Sequence, residues 1–194
     1  KAIPVITVIP ATQFKTIPWK NGLGHTTELA INNGGSLDNF DWRLSIASVV
    51  SNGEFSNFSG YQRNLILIEG NGINLQHDDS KIDKLSRILD VANFDGGCKT
   101  VGNLTAGEIT DFNVITHKEK CSVVVETFTE QQTIELKAAD LCFIYSLSGA
   151  FQLTSYQNHQ IIKAEHLLKL NSLKVGDMAV TGQKLIVVYL TLNK

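Results

Sequence analysis

Short runs of Val, Ile, Leu, Thr and aromatic residues recur along this chain, separated by Gly, Asn, Asp and Ser, at roughly 8- to 15-residue intervals. Runs of this length and composition are typical of β-strands. The three prolines stand at positions 4, 10 and 18, so none interrupts strand pairing further along the chain. No long segment with helical periodicity alternates with these runs, which argues against a parallel α/β sheet. The sequence therefore predicts an all-β fold.

The individual strands follow from where each run begins and ends. The predicted strands are Ile3–Ile9, Thr26–Ile31, Asp41–Val50, Arg63–Glu69, Gly72–His77, Thr110–His117, Cys121–Phe128, Thr133–Leu136, Leu141–Leu147, Phe151–Tyr156, Gln160–Glu165, Leu167–Leu170, Asp177–Thr181 and Leu185–Leu192. The stretch Ile82–Leu89 is ambiguous, because its apolar residues have helical spacing while a loop with a short strand fits equally well.

One pattern of strand, Gly turn and strand occurs twice. Leu65–Leu75 has it first, and Leu141–Leu153 repeats it in the second half, followed later by Gly176-Asp177 leading into another strand. This pattern resembles one half of a cupin-type barrel, in which closure removes exposed strand edges. We expect two fused cupin (RmlC-type) repeats, a bicupin. Residues 1–120 would form an N-terminal barrel, and residues 121–194 would form a C-terminal repeat packed against it as one compact unit.

Composition excludes several classes of protein. The 17 Lys and Arg against 19 Asp and Glu leave a net charge of −2, without the clustered positive charge of a nucleic-acid binder. No apolar run approaches the ~18 residues of a membrane span. The residues present contain no signal-peptide pattern. Cys98, Cys121 and Cys142 are widely separated and indicate buried small hydrophobic residues in a reducing, cytoplasmic environment.

Metal and cofactor motifs are missing from the sequence. A cupin metal site needs two histidines at H-x-H spacing, and the five histidines, at 25, 77, 117, 159 and 166, contain no such pair. A two-cysteine zinc half-site is the alternative, although no Cys or His stands near the cysteines at ligand spacing. The Gly70-Asn71-Gly72 motif opens a strand rather than a helix, unlike a dinucleotide-binding loop. We expect no metal and no cofactor.

The segment from Pro18 to Glu28, PWKNGLGHTTE, carries more chemistry than a scaffold needs. It places polar groups of several types around two glycines, which allow a tight turn or a close backbone approach. Asn-Gly is a strong hairpin signal, so a tight turn alone is one interpretation. The other is a wall of a small-molecule pocket, and its candidate ligand-binding residues are Trp19, Lys20, Asn21, Thr26 and Glu28.

Further candidates stand on predicted strands. Because side chains alternate along a strand, each of three strands carries several polar side chains on one face. These are Arg43 and Ser45 on the first, Arg63 and Glu69 on the second, and Asp111 and Asn113 on the third. The sequence does not decide which face points inward. If these faces are buried, the carboxylates either neutralise both arginines or leave an arginine free to bind a substrate carboxylate.

Several blocks of the sequence match, in order, the motifs of one known family. They are PWKNGLG at 18–24 with Thr27 and Glu28, DWRLSIASV at 41–49, NGEFSNFSGY at 52–61, the run 63–72, and LTAG at 104–107 followed by Asp111-Phe112-Asn113. This pattern resembles the HutD/Ves family, and the blocks look closer to its Ves branch. The resemblance implies a metal-free bicupin, an association with histidine utilisation, and binding of a small carboxylate intermediate.

Two classes of function fit these residues. The first is a non-catalytic protein that binds a small anionic metabolite, a carboxylate or acyl-amino acid, and regulates through that binding. The second is a metal-free cupin enzyme of isomerase or hydrolase type, in which a buried Glu28 or Glu69 moves a proton. We predict that eight residues converge on one cavity of the N-terminal barrel: Trp19, Lys20, Asn21, Thr26, Glu28, Arg43, Arg63 and Glu69. The expected partner is a small carboxylate, and a second copy of the chain is the protein partner considered.

Overall fold

The computed structural model describes residues 4–78, 80–156 and 158–194. These residues form 19 β-strands and one short 3-10 helix, Ala11–Gln13, which confirms the all-β prediction. No helix in the described ranges is long and apolar enough to cross a membrane. The strands are β1 (Val5–Ile9), β2 (Lys15–Pro18), β3 (Gly24–Ile31), β4 (Trp42–Val49), β5 (Gly53–Glu54), β6 (Tyr61–Glu69), β7 (Ile73–His77), β8 (Lys81–Leu85), β9 (Val91–Asp95), β10 (Thr100–Leu104), β11 (Ile109–His117), β12 (Cys121–Phe128), β13 (Gln132–Glu135), β14 (Ala139–Ser146), β15 (Phe151–Ser155), β16 (Asn158–Ile162), β17 (Leu167–Leu173), β18 (Met178–Gly182) and β19 (Leu185–Leu192).

The first compact unit is Phe14–Cys121. It contains a six-stranded sheet in the order β2-β3-β4-β11-β6-β9 and a four-stranded sheet in the order β5-β10-β7-β8. The described strand pairs are antiparallel. Apolar side chains from both sheets form its core, including Leu65 and Leu67 of β6 and Ile73 and Leu75 of β7. These four residues are fully buried.

The second compact unit combines Ser122–Lys194 with the beginning of the chain up to Gln13. Its five-stranded sheet has the order β1-β17-β14-β19-β12, and its four-stranded sheet has the order β13-β18-β15-β16. The first strand, β1, therefore pairs with β17, far along the chain, and not with its sequence neighbours. The core of this unit joins Cys142 and Ile144 of β14 to Phe151 and Leu153 of β15.

The two units repeat one topology. Strands β4-β11-β6-β9 of the first unit have the same order as β12-β19-β14-β17 of the second. The small sheets correspond in the same way, β5-β10-β7-β8 to β13-β18-β15-β16. Each strand from β4 to β11 thus has its counterpart eight strands later. Beyond this repeat, the first unit adds the hairpin β2–β3 beside β4, and the second adds β1 beside β17.

The twice-occurring strand–Gly–strand pattern has one structural role in both units. It carries the chain from the large sheet to the small one, from β6 to β7 and from β14 to β15. Gly70, at the end of β6, has a φ of 99° that side chains rarely adopt. A Cβ there would also lie 2.6 Å from the carbonyl oxygen of Glu108. A glycine is therefore required at position 70, where the chain of the first unit changes sheets.

Each predicted strand is present, with ends shifted by a few residues, and the ambiguous stretch begins with the strand β8 rather than a helix. Ile3, where the first predicted strand begins, lies outside the described residues, as do residues 1, 2, 79 and 157. Strands β2, β5, β9 and β10 were not predicted, and β8 is the short strand that was one of the two alternatives for Ile82–Leu89. All five strands are short; β5 has only Gly53 and Glu54, and the exposed positions of the other four carry Lys, Asp or Asn, which hide the strand pattern.

Candidate functional site

A cavity of about 570 Å³ opens in the unit Phe14–Cys121. Its walls come from the β2–β3 hairpin, from β4, β6 and β11, and from the segment after β4. Nine of the residues predicted for the site line it: Trp19, Lys20, Asn21, Thr26, Arg43, Ser45, Arg63, Asp111 and Asn113. A cavity of this size is sufficient for a small molecule.

The PWKNGLG segment is both a hairpin turn and a wall of this cavity. The N–H of Trp19 donates to the carbonyl oxygen of Gly24 at 2.9 Å, which closes the turn between β2 and β3. The side-chain Oδ1 of Asn21 accepts from the N–H of Leu23 at 3.0 Å. The indole N–H of Trp19 donates to Thr26 Oγ1 at 2.8 Å, which fixes the ring against the cavity. The segment is therefore a tight turn and also lines the cavity, as the two interpretations of its sequence proposed separately.

Gly24 is needed because β3 and β4 approach closely beside the Trp19 ring. A Cβ at this position would collide with the carbonyl oxygen of Ser48 and lie 3.1 Å from the indole. We expect Gly24→Ala to lower the free energy of unfolding by about 1–3 kcal/mol, the usual cost of overpacking. Urea denaturation measures it. Gly53→Ala is the matched control, because a Cβ at Gly53 meets nothing within 4 Å. Equal stability of the two variants would contradict this explanation.

Arg43 forms an ion pair with a carboxylate from the neighbouring strand. Its Nε donates to Glu28 Oε1 at 2.9 Å. The exposed fractions of the two side chains are 7% and 15%. This pairing follows from strand register, since Glu28 lies opposite Ser45 on the face that also carries Arg43. Glu28 is not among the described residues that line the cavity, and its role is to neutralise Arg43.

Arg63 is buried among three phenyl rings. Its guanidinium carbon lies 5.7 Å from the ring centre of Phe55, 5.2 Å from that of Phe58 and 5.3 Å from that of Phe94. Such contacts favour a cation electrostatically, particularly where water is excluded. Burial lowers the pKa of Arg63 to about 10, although the nearby charge of Asp111 acts in the opposite direction. Arg63 is therefore still a cation at neutral pH.

The described hydrogen bonds of Arg63 go to neutral oxygens. Nη1 donates to the carbonyl oxygen of Ser56 and Nη2 to Asn113 Oδ1, each at 3.3 Å. Its Nε is buried and has no hydrogen-bond partner among the described residues. A buried donor without a partner costs about 1–3 kcal/mol. This cation retains hydrogen-bonding capacity for an anion.

Asp111 supplies the buried carboxyl group of the cavity. Its side chain is 1% exposed, and Oδ1 accepts from Asn113 Nδ2 at 2.6 Å. In the part of the chain that the structure describes, Oδ2 has no hydrogen-bond partner. Burial raises the pKa of Asp111 to about 7, against the opposing effects of the Asn113 hydrogen bond and the charge of Arg63. Asn113 thus bridges Arg63 and a carboxyl group that titrates near neutrality.

Glu69 does not join this group. It stands at the end of β6, exposed to solvent, where its carboxylate accepts a hydrogen bond from Thr110 Oγ1 at 3.2 Å. The described lining of the cavity does not include it. Although Glu69 shares a strand face with Arg63, the pairing of β6 with β11 shifts register at Thr110, beside Glu69. The expectation that Glu69 enters the cavity is corrected accordingly.

Aromatic residues of the site were missed at the sequence level. Phe55 and Phe58 line the cavity, and with Phe94 they surround the Arg63 guanidinium. The first two belong to the NGEFSNFSGY block, which matched the family motif without being assigned a role. Two phenylalanines three residues apart in a Gly- and Ser-rich loop were the available signal. Phe94 stands on β9, a strand that was not predicted.

The second unit has uncharged core residues on the strands β14 and β19, which correspond to β6 and β11. In the first unit Asp111 lies opposite Leu67, and Asn113 opposite Leu65. In the second, Val187 lies opposite Ile144 and Tyr189 opposite Cys142, and all four belong to its core. The same strands can therefore pack with apolar side chains at these positions. The fold alone does not require Asp111 and Asn113.

Metal-ligating side chains do not gather in the part of the chain that the structure describes. Within residues 4–78, 80–156 and 158–194, no group of three or more His, Cys, Asp or Glu side chains is arranged to hold a metal ion. His77, the most buried histidine, contacts Thr100 Oγ1 at 2.9 Å and Asp83 Oδ2 at 2.7 Å.

Comparison with known sequences identifies the family. The HutD family model matches residues 11–188. The chain belongs to the HutD family. A Pseudomonas putida protein, described as an uncharacterised 21.2 kDa protein in the hutC 3' region, is 39% identical over 108 residues, covering 56% of each chain. Protein Ves of Escherichia fergusonii is 34% identical over 136 residues, covering 70% of this chain and 69% of that protein. A protein from the hutC region and Protein Ves therefore both match this HutD-family chain.

Solved structures agree with this assignment. HutD from Pseudomonas fluorescens SBW25, in its formate condition, is 29% identical, with a TM-score of 0.85 over 98% of this chain and 100% of that one. A cupin 2 conserved barrel domain protein from Leptotrichia buccalis has a TM-score of 0.57 at 10% identity, over 91% of this chain and 92% of that one. The second likeness concerns the fold alone. The predicted cupin-like fold is confirmed.

Proposed function

We propose that the unit Phe14–Cys121 binds a small carboxylate in its cavity, and that the protein acts as a non-catalytic sensor or buffer of that metabolite. The observation that carries this proposal is Arg63. It is a buried cation that lines a cavity, and its described hydrogen bonds are to neutral oxygens. A guanidinium offers a planar fork of donors that matches a carboxylate. A bound carboxylate would supply an anionic hydrogen-bond partner, which the described hydrogen bonds of Arg63 do not include.

The walls of the cavity suit a compact organic anion. Trp19, Phe55 and Phe58 provide apolar surface, while Ser45 and Asn113 provide neutral polar groups. A small number of polar groups within a mainly apolar wall is typical of ligand sites. The uncharged core residues of the corresponding strands β14 and β19 in the second unit support a functional origin for Asp111 and Asn113. The HutD structure in its formate condition makes formate a rational first probe.

A second candidate function is acid–base catalysis without a metal, with a different residue from those first considered. Glu28 is engaged in its ion pair with Arg43, and Glu69 is exposed at a strand end. Asp111, by contrast, is buried in the cavity, and its pKa is raised to about 7 by that burial. A carboxyl group with a pKa near the working pH suits proton transfer. Recovery of the bound carboxylate unchanged after prolonged incubation favours the binding protein, and its conversion favours the enzyme.

The binding proposal is tested by removing the Arg63 charge. Calorimetry with formate, acetate and N-acetyl-L-alanine measures the affinity of the native protein and of Arg63→Met. We expect the tightest of these ligands to lose about 1.5–3 kcal/mol, or roughly 10- to 150-fold in affinity, the value of a charged hydrogen bond. Arg87→Met removes an exposed cation outside the cavity lining and serves as the matched control.

The outcomes of this experiment are distinct. Loss of affinity in Arg63→Met, with native affinity in Arg87→Met, supports a carboxylate site at Arg63. Equal affinities in both variants would contradict it. Failure of all three carboxylates to bind the native protein would also count against the proposal. Circular dichroism of each variant establishes that lost affinity does not arise from unfolding.

A further inference from the structure

We propose that Asp111 contacts the bound carboxylate as a neutral acid, so that the cavity takes up one proton with each anion. In the complex, the protonated Oδ2 would donate its O–H to a carboxylate oxygen of the ligand. This inference rests on the proposed function and adds to it the protonation state in which the ligand is bound. It makes Asp111 a residue that determines specificity for monoanions.

The geometry leaves one oxygen of Asp111 available for this contact. Oδ1 is engaged by Asn113 Nδ2 at 2.6 Å, and Asn113 in turn accepts from Arg63 through Oδ1. Oδ2 is buried without a hydrogen-bond partner among the described residues, on a side chain that lines the cavity. The orientation of the Asn113 amide is fixed because its NH₂ faces the carboxyl group and its oxygen faces the guanidinium. Oδ2 is therefore the oxygen that can carry a proton toward a ligand.

The sum of the buried charges also favours a neutral Asp111 in the complex. Arg43 is neutralised by Glu28, which leaves Arg63 and Asp111 as the remaining buried charged groups described in the cavity wall. If Asp111 is ionised, these four groups sum to zero, and a bound anion adds an uncompensated buried charge. If Asp111 is neutral, they sum to +1, and one monoanion restores neutrality. Because unpaired buried charges are costly, binding favours the neutral acid.

Other charged groups near Asp111 do not change this count. The neighbouring strands β4 and β6 present Arg43 and Arg63, and β6 ends at Glu69, which is exposed and outside the lining. Lys20 from the β2–β3 turn and Glu54 from β5 both line the cavity, and both are solvent-exposed. Their opposite charges cancel and are screened by water. The pKa of Asp111, raised to about 7 by burial, makes the proton available near neutral pH.

Calorimetry with acetate tests the proposal. Titrations in buffers of different ionisation enthalpy give the number of protons taken up per anion. We expect this number to approach one at about pH 8, where free Asp111 is mostly ionised, and to fall toward zero at about pH 6, where it is already protonated. The affinity for acetate should weaken by up to about tenfold for each pH unit above about 7.

Two variants assign the proton to its residue. Asp111→Asn, which cannot titrate, should bind acetate without proton uptake and with an affinity independent of pH. Glu69→Gln removes a carboxylate outside the cavity and should keep the native uptake. As an independent readout, addition of acetate to the native protein at about pH 8 should increase the infrared band of a protonated carboxyl group.

Each result decides the inference. Binding by the native protein without proton uptake overturns it while leaving the carboxylate site intact. Uptake that persists in Asp111→Asn overturns the assignment to this residue. No binding of acetate, or of the other two carboxylates, at any pH overturns both this inference and the proposed function. If Asp111→Asn does not fold, absence of the infrared change in the native protein still overturns the inference.

Discussion

Replacing Asp111 with Asn is expected to raise the free energy of unfolding at about pH 8 by about 2–4 kcal/mol. The side chain is 1% exposed, and burial raises its pKa to about 7 in the folded protein. In the unfolded chain an Asp ionises near pH 4. At pH 8 the folded state must hold a buried carboxylate at a cost that the unfolded state does not have. The neutral amide avoids this cost and keeps a comparable volume.

The pH dependence of stability follows from the same shift. Between about pH 4 and pH 7 the folded state binds the Asp111 proton and the unfolded state does not, so stability falls as the pH rises through this range. The contribution is fully present below the unfolded pKa, and it is lost as the pH passes the folded pKa of about 7. We expect urea denaturation across this range to show this decline in the native protein and a flatter profile in Asp111→Asn.

Asp95 provides a control, because its pKa is shifted in the opposite direction to that of Asp111. It is exposed, and its pKa is lowered, mainly by a hydrogen bond from Lys118. Asp95→Asn should therefore not increase stability at high pH and should leave the decline between about pH 4 and pH 7 in place. A native decline that survives in Asp111→Asn, or a loss of stability in that variant at pH 8, would contradict the assignment of the decline to Asp111.

Breaking the Arg43–Glu28 pair should be the second large effect. Arg43→Met leaves the Glu28 carboxylate without its 2.9 Å partner in a site where that side chain is only 15% exposed. We expect a loss of about 3 kcal/mol in the free energy of unfolding, since removal of one member of a buried pair leaves an uncompensated charge. The double variant Arg43→Met with Glu28→Gln should be more stable than Arg43→Met alone. Chemical denaturation of the native protein, of Arg43→Met, of Glu28→Gln and of the double variant gives the coupling energy between the two residues.

An exposed ion pair gives the matched comparison. Lys118 and Asp95 are joined at 2.6 Å, but their side chains are 42% and 49% exposed. Breaking that pair with Lys118→Met should cost at most about 1 kcal/mol, because water screens both charges. Additive effects of the Arg43 and Glu28 substitutions would show that the pair does not stabilise the fold. Arg43 would then be as available to an anion as Arg63.

The fold was largely predictable from local patterns. The apolar β-prone runs predicted strands such as β6 and β14, and the repeated Gly after each predicted the turn that leads into the next strand. The strands that escaped prediction, such as β5 with two residues and β10 with Gly102 and Asn103, have few side chains suited to a pleated surface. They form because neighbouring strands offer backbone hydrogen bonds, which only the assembled sheet provides.

The site was predictable in its residue types but not in its pairing. The sequence identified Arg43, Arg63, Glu28, Glu69 and Asp111 as candidates, and it left open which carboxylate meets which arginine. Alternation along β4 and β11 could not reveal the inward face, because both faces of these strands are largely buried. The Phe residues around Arg63 were equally hidden, since they stand in a loop and on an unpredicted strand.

The sequence by itself determined the all-β repeat and the presence of charged side chains on strands that must be buried. Only the tertiary structure decided that Glu28 neutralises Arg43, that Glu69 reaches solvent, and that Asp111 is enclosed. The physical reason is that the free energy of burying a charged side chain depends on the groups that surround it. Those surroundings are set by the register between strands that lie far apart in sequence, such as β6 and β11.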